Sequence, residues 1–192
     1  VQSIFNEYEI PNFIDSKKEA KTNPIIVLII SALEMQSRKY NYETMFRYLK
    51  SGLIGLSIED ISLIENYVLA NGIKGKKWFE EKWNYRLNHK LNDEESEVEL
   101  EIIEKVNKIK DVIINPIVKL QKKLKGRNKA KDICRYIYEF LIDIDIPETI
   151  KNMIDDFKSK NEINLANQYS QVWEIVVDIL DQIVEIMGED FI

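Results

Sequence analysis

Phe46-Arg47-Tyr48-Leu49-Lys50-Ser51-Gly52-Leu53, then Ile64-Glu65-Asn66-Tyr67-Val68-Leu69-Ala70-Asn71-Gly72-Ile73-Lys74-Gly75, closing on Trp78 and Trp83, is the stretch that decides the fold. It reads as helix, stop, helix, stop, then a basic loop bearing aromatic residues. Gly52 and Asn71-Gly72 stand where a helix needs a residue tolerant of the left-handed region. Between them, Ser57 is a good N-cap, and Asp60 three residues on completes a capping-box pattern. That helix should carry Ile58, Ile61, Ile64, Tyr67 and Val68 inward. Upstream, Asn41 or Tyr42 opens a helix with Met45, Phe46 and Leu49 on one face. Before it, Ile25 to Gln36 reads as an almost wholly apolar, hence buried, helix, with Pro24 in its tolerant first turn. Gln2 to Tyr8 reads as the last turns of a helix. Glu9 to Asp15, with Ile10-Pro11, reads as a short extended segment.

Downstream the helical signal lengthens. Val98, Ile102, Val106, Ile109, Ile113, Ile117, Leu120 and Leu124 recur at alternating threes and fours, a heptad-like stripe on a helix from near Asp93 to Lys125. Pro116 inside it predicts a kink, and Gly126 ends it. Ala130 to about Ile142 forms another helix, with Ile133, Ile137 and Phe140-Leu141. Asp145 with Pro147 starts the next, which carries Ile150, Ile154 and Phe157. The last shows Leu165, Tyr169, Val172, Val176, Ile179, Ile183 and Ile186, and stops at Gly188. No internal repeat or low-complexity tract interrupts them. The expectation is an all-α, irregular helical bundle with one long kinked helix and a short extended N-terminal segment.

Composition agrees and sets limits. The 192 residues are 45% hydrophobic, with only 6 Gly and 4 Pro, which argues against a turn-rich sheet fold. A single cysteine, Cys134, permits neither an internal disulfide nor a Cys-based zinc or iron–sulfur site. A reducing, cytoplasmic setting fits best. The longest apolar run, Pro24 to Leu33, is too short to span a bilayer, and no signal peptide opens the chain. The net charge of −6 means that any nucleic-acid contact must use a local patch. The chain starts at Val1 without an initiator Met and ends just past a helix stop, so both ends are expected to be cuts from a longer chain.

Two basic segments are candidates for such a patch. In the first, Lys74, Lys76, Lys77, Lys82 and Arg86 supply charge, while Trp78, Phe79, Trp83 and Tyr85 supply rings on which bases could stack. The competing and favoured reading is that Trp78 and Trp83 anchor the loop to the core. Gly72-Ile73-Lys74-Gly75-Lys76-Lys77 lacks the spacing and the Ser/Thr of a nucleotide-binding P-loop. The second segment holds Lys119, Lys122, Lys123, Lys125, Arg127, Lys129 and Lys131. It ends a helix whose start holds Asp93, Glu94, Glu95, Glu97, Glu99, Glu101 and Glu104. Acid at the start and base at the end is what the helix dipole favours, so a structural account covers both runs. A DNA-tracking patch at the basic end is the alternative.

Other chemistry finds little support. Asp143 with Asp145, Asp155 with Asp156, and Asp178, Asp181 and Glu185 are carboxylate groups of the kind two-metal nucleases use. The last three lie opposite the apolar stripe, where water is expected. His89, the one histidine, sits in a polar stretch with no nucleophile motif nearby. Cys134 sits on an apolar helix face and reads as a small core residue.

The chain resembles part of the B subunit of the AddAB ATP-dependent helicase/deoxyribonuclease, a RecBCD-like complex. The resemblance rests on Ile4-Phe5-x-x-Tyr8-x-Ile10-Pro11-x-Phe13-Ile14-Asp15, on Pro24-Ile25, on Phe46 to Leu53 and on Leu63 to Trp78 as quoted above. It implies that residues 1–24 lead out of a helicase-like motor domain and that residues 25–192 form a helical 2B-like insertion domain. It also implies a parent that resects DNA double-strand-break ends for recombinational repair, with ATP, Mg and an iron–sulfur cluster as the parent's cofactors. The implied partners are the A subunit, the rest of the B subunit and DNA, with no membrane. No residues for ATP hydrolysis, nuclease chemistry or cluster ligation match, so the expectation for this segment is a non-catalytic role without a cofactor. A stand-alone DNA-binding or protein-docking module is the alternative. The DNA-contact candidates are Lys74, Lys76, Lys77, Trp78, Lys122, Lys123, Lys125, Arg127 and Lys129.

Overall fold

A computed structural model describes residues 23–85 and 97–192. The expectations for Gln2 to Asp15, for Arg86, for His89 and for Asp93 to Glu95 lie outside the described residues. Within them the chain is all-α: α1 (Pro24–Glu34), α2 (Tyr42–Leu49), α3 (Ile58–Ala70), a 3-10 turn (Gly75–Phe79), α4 (Glu97–Leu124), α5 (Ala130–Asp143), α6 (Ile146–Ser159) and α7 (Ile163–Met187). Helix α1 packs on α2, and α3 on α4. Helix α5 bridges α4 to α7, and α6 lies mainly along α7.

The local signals behave as the sequence chemistry requires. The Asn23, Asn41 and Ser57 side chains accept the backbone N–H of Ile25, Thr44 and Asp60, each at 3.0 Å. These bonds satisfy donors that the first helical turn leaves orphaned. Gly72 follows the last turn of α3 at φ +57°, the left-handed region that a Cβ disfavours. Helix α4 runs through Pro116, which supplies no amide to the Val112 carbonyl.

The core lies where α2, α3, the aromatic loop and α4 meet. Met45, Leu49, Ile64, Trp78, Trp83, Val106 and Ile117 have no exposed surface. Each large aliphatic among them contributes roughly 1.5–3 kcal/mol before entropy is subtracted. Trp78 meets Trp83 edge-on with centroids 5.2 Å apart, and Trp83 stacks on Tyr67 at 5.8 Å.

Some residues expected inside are outside. Ile58 is 79% exposed and Val98 63%, because each precedes the stretch of its helix that has a neighbour to pack on. Ile30 and Leu33 also face outward, so α1 is buried on one face only. The largest departure is α7. Val176 is buried, but Ile175, Ile179, Val184 and Ile186 are exposed, Ile186 to 82%. The stripe expected to run inward to Ile186 is covered only in part, since α6 and α5 shield one side of this helix.

Candidate nucleic-acid interface

The aromatic loop is held from two sides. The Trp83 indole N–H donates to the Lys77 carbonyl at 2.7 Å. Its backbone N–H donates to Asn107 Oδ1 at 2.8 Å, and the Asn107 amide donates back to the Trp83 carbonyl at 2.9 Å. Lys110, only 3% exposed, donates to the Glu80 and Glu81 carbonyls at 2.8 and 2.9 Å and lies 5.5 Å from the Trp83 ring centroid. A buried ammonium is tolerated here because carbonyl oxygens and a π face replace its water. The Tyr67 phenol donates to the Tyr85 carbonyl at 2.8 Å and accepts from its N–H at 2.9 Å. Both tryptophans are therefore anchors. Trp78, a candidate for stacking on bases, is fully buried against Phe46 and Trp83 and has no face open to a base.

The second basic segment divides sharply. Lys119 pairs with Asp143 at 2.6 Å, Lys123 with Glu139, and Lys129 and Lys131 both with Glu189. Arg127 lies 4.8 Å over the Phe191 ring. The two lysines hold the Glu189 carboxyl down at about 2, and Lys123 holds Glu139 below the usual carboxylate range. These cations serve the closure of the chain. Ala130 N–H donates to the Asp190 carbonyl at 2.8 Å and Ile192 N–H to the Asn128 carbonyl at 2.9 Å, tying the last residues to the start of α5. Of the candidates here, Lys122 and Lys125 are exposed and have no acidic partner among the described residues, whereas Lys123, Arg127 and Lys129 are engaged.

In the first segment, Lys77 is half-buried, 5.0 Å from the Tyr85 ring centroid, with its ammonium 3.4 Å from the Asn71 carbonyl. Lys74 and Lys76 are exposed, again without an acidic partner among the described residues.

One junction ties the first basic segment to the helix that leads into the second. Gly75 N–H donates to the Tyr40 carbonyl at 3.3 Å, and the Tyr40 phenol donates to the Gln121 side-chain oxygen. Tyr40 also meets Phe79 edge-on at 4.6 Å. Arg38 and Lys39, Lys74 and Lys76, and Lys122 adjoin these contact residues in the chain and, with Lys125, are all exposed. Lys125 follows directly on the last residue of α4, four positions after Gln121. Lys39 and Tyr40 both adopt positive φ, 53° and 50°, and so turn the chain back toward the 3-10 turn. The sequence reading missed Arg38 and Lys39. The visible signal was Arg38-Lys39 just before Tyr40 and the N-cap Asn41, but nothing in the sequence ties that stretch to Gly75 or Gln121.

Catalytic chemistry has no comparable cluster. Among the described residues no three His, Cys, Asp or Glu side chains are arranged to hold a metal. Asp178, Asp181 and Glu185 all face outward. Cys134 is buried, and that burial pushes its thiol up from the ordinary value. One such thiol cannot ligate an iron–sulfur cluster. No described helix is long and apolar enough to cross a membrane.

Comparison with known proteins gives this surface a context. No family model matches the chain. It is 68% identical over all 192 residues to the B subunit of the ATP-dependent helicase/deoxyribonuclease of Clostridioides difficile (strain 630), of which it covers 17%. The whole chain is homologous to a segment of that B subunit. It is also 45% identical over 191 residues to the corresponding B subunit of Clostridium kluyveri (strain NBRC 12016), and 49% identical over 191 residues to that of Thermoanaerobacter sp. (strain X514), covering 17% and 16% of them. The chain thus spans about a sixth of the length of the curated relatives it matches.

Proposed function

We propose that this segment is a non-catalytic helical unit of an ATP-dependent helicase/deoxyribonuclease B subunit acting in DNA double-strand-break end resection and recombinational repair. Residues 25–192 act in it as a 2B-like insertion that guides the DNA backbone. The observation that carries this reading is the junction at Tyr40, which ties together three separate stretches that between them carry six exposed cations, on a chain of net charge −6. Local positive charge on an acidic protein favours phosphate without making the whole surface sticky. ATP, Mg and the iron–sulfur cluster belong to the parts of such a protein or its A partner beyond this segment, whose single cysteine cannot ligate a cluster and whose described residues arrange no three metal-binding side chains together.

The test is retention of duplex DNA by the assembled two-subunit complex across a salt series. Replacing Lys74, Lys76, Lys122 and Lys125 together by Glu is expected to weaken binding and to flatten the dependence of log K on log salt, by about 0.9 for each phosphate no longer neutralised. Unchanged affinity and slope would remove this face from the DNA path. A second reading, docking, is favoured by the open apolar face of α7 at Ile175, Ile179 and Ile186, a surface that suits contact with the rest of the B subunit.

A further inference from the structure

We infer that a cleft of about 260 Å³ between α4 and the α5–α6 turn receives an arginine side chain from a protein segment outside this fold. Its walls are Ile54, Val112, Pro116 and Ile144, and its polar groups include Tyr48, Asp143, Asp145 and Thr149. It lies apart from the basic junction and does not depend on DNA binding.

Size limits the occupant first. Pockets for cofactors and other small molecules run from roughly 300 to 1,000 Å³, so this space suits a single side chain. Charge then selects among side chains. Asp145 is the N-cap of α6, a position where a carboxylate ordinarily accepts the helix's first amides. Here it makes no such bond, because its backbone sits at φ 55°, in the left-handed region. Its carboxylate is exposed and unpaired among the described residues, while the neighbouring Asp143 is already matched by Lys119 at 2.6 Å. One uncompensated negative charge therefore faces the cleft.

A second observation is independent of the acids. Tyr48 is 1% exposed, packs its ring on Phe140 at 6.4 Å and lines the cleft, yet no described protein group hydrogen-bonds its phenol. Burial keeps that phenol protonated well beyond the ordinary range. The hydroxyl is not sealed off with the ring, so a donor or acceptor arriving in the cleft finds it free to bond. Several acceptors above an apolar floor match a guanidinium, whose planar fork carries five donors on an aliphatic stem. An ammonium concentrates its donors at one point and spans them less well.

The experiment follows backbone amides of the 192-residue chain by NMR during titration with N-acetyl-L-arginine N-methylamide and with its lysine and norleucine counterparts. The arginine compound is expected to shift Gly55 and Thr149 saturably, more tightly than lysine, with norleucine silent. Asp145→Asn and Tyr48→Phe should each weaken the arginine compound by about tenfold, the loss of one hydrogen bond to a charged group. Asp145 is exposed, so its variant tests the proposal even if Tyr48→Phe disturbs packing. No saturable shift, norleucine binding as tight as arginine, lysine equal to arginine, or undiminished affinity in Asp145→Asn would each overturn it.

Discussion

The two long helices α4 and α7 carry the same kind of apolar stripe and meet opposite fates. In α4, Val106, Ile113, Ile117 and Leu120 are all but fully buried, because α3, α5 and the tryptophan loop close over them. In α7, Val176 is covered, but Ile175, Ile179 and Ile186 remain in the open. Helical periodicity states that a face is apolar, and only neighbours decide whether the face becomes core. The polar residues sharpen the contrast. Lys110 and Asn107 interrupt the α4 stripe and yet point inward, where they clamp the loop at Trp83. The acids of α7, Asp178, Asp181 and Glu185, point to water.

The largest expected effect tests that contrast directly. Trp83→Ala should cost about 3–5 kcal/mol in denaturant unfolding, the usual range for losing a fully buried aromatic. Ile179→Ser on the open face should stay within about 0.5 kcal/mol. Equal costs at the two sites would mean that α7 is covered in solution and would erase the distinction. The next effect concerns the clamp. Lys110→Met keeps the length of the stem but strands the Glu80 and Glu81 carbonyls, and is expected to cost about 1–3 kcal/mol. It should also raise amide exchange at Trp83 more than at α7. A neutral or stabilising result would mean that the apolar stem, and not the ammonium, holds the loop.

The smallest effect is electrostatic and lies at the chain's closure. The folded pKa of Glu189, about 2, is depressed from 4.5 first by its bond to Lys129 and then by that to Lys131. A depressed carboxylate stabilises the folded state above its unfolded pKa, and the contribution disappears as pH falls from about 4.5 toward about 2. Carbon-detected titration of the Glu189 carboxyl should place its midpoint near 2, and Lys131→Ala should move it up. A wild-type midpoint at the ordinary value would show that these surface pairs are not formed in solution, a common fate of exposed ion pairs.

Legibility followed range along the chain. The N-caps at Asn23, Asn41 and Ser57 and the stop at Gly72 were readable because capping is a contact between residues two or three apart. Tryptophan anchoring was readable as the favoured alternative, since an indole gains more from burial than from exposure. The buried role of Lys110 left a trace, a lone lysine at stripe spacing between Val106 and Ile113, but its partners are carbonyls some 30 residues away. For the candidate surface, the lysines were visible and their grouping was not. Lys123, Lys129 and Lys131 look like Lys122 and Lys125 in sequence, and they differ only in having Glu139 or Glu189 folded against them.

The amino-acid sequence alone determined that this protein is helical, where most of its helices begin and end, and which B subunits share its ancestry. Those properties rest on short-range backbone chemistry and on residue identity. Tertiary structure decided which apolar stripe became core, which cations stayed free, and that Tyr40, Gly75 and Gln121 meet at one junction. Burial and ion pairing depend on groups brought close by folding, and separation along the chain does not encode that proximity.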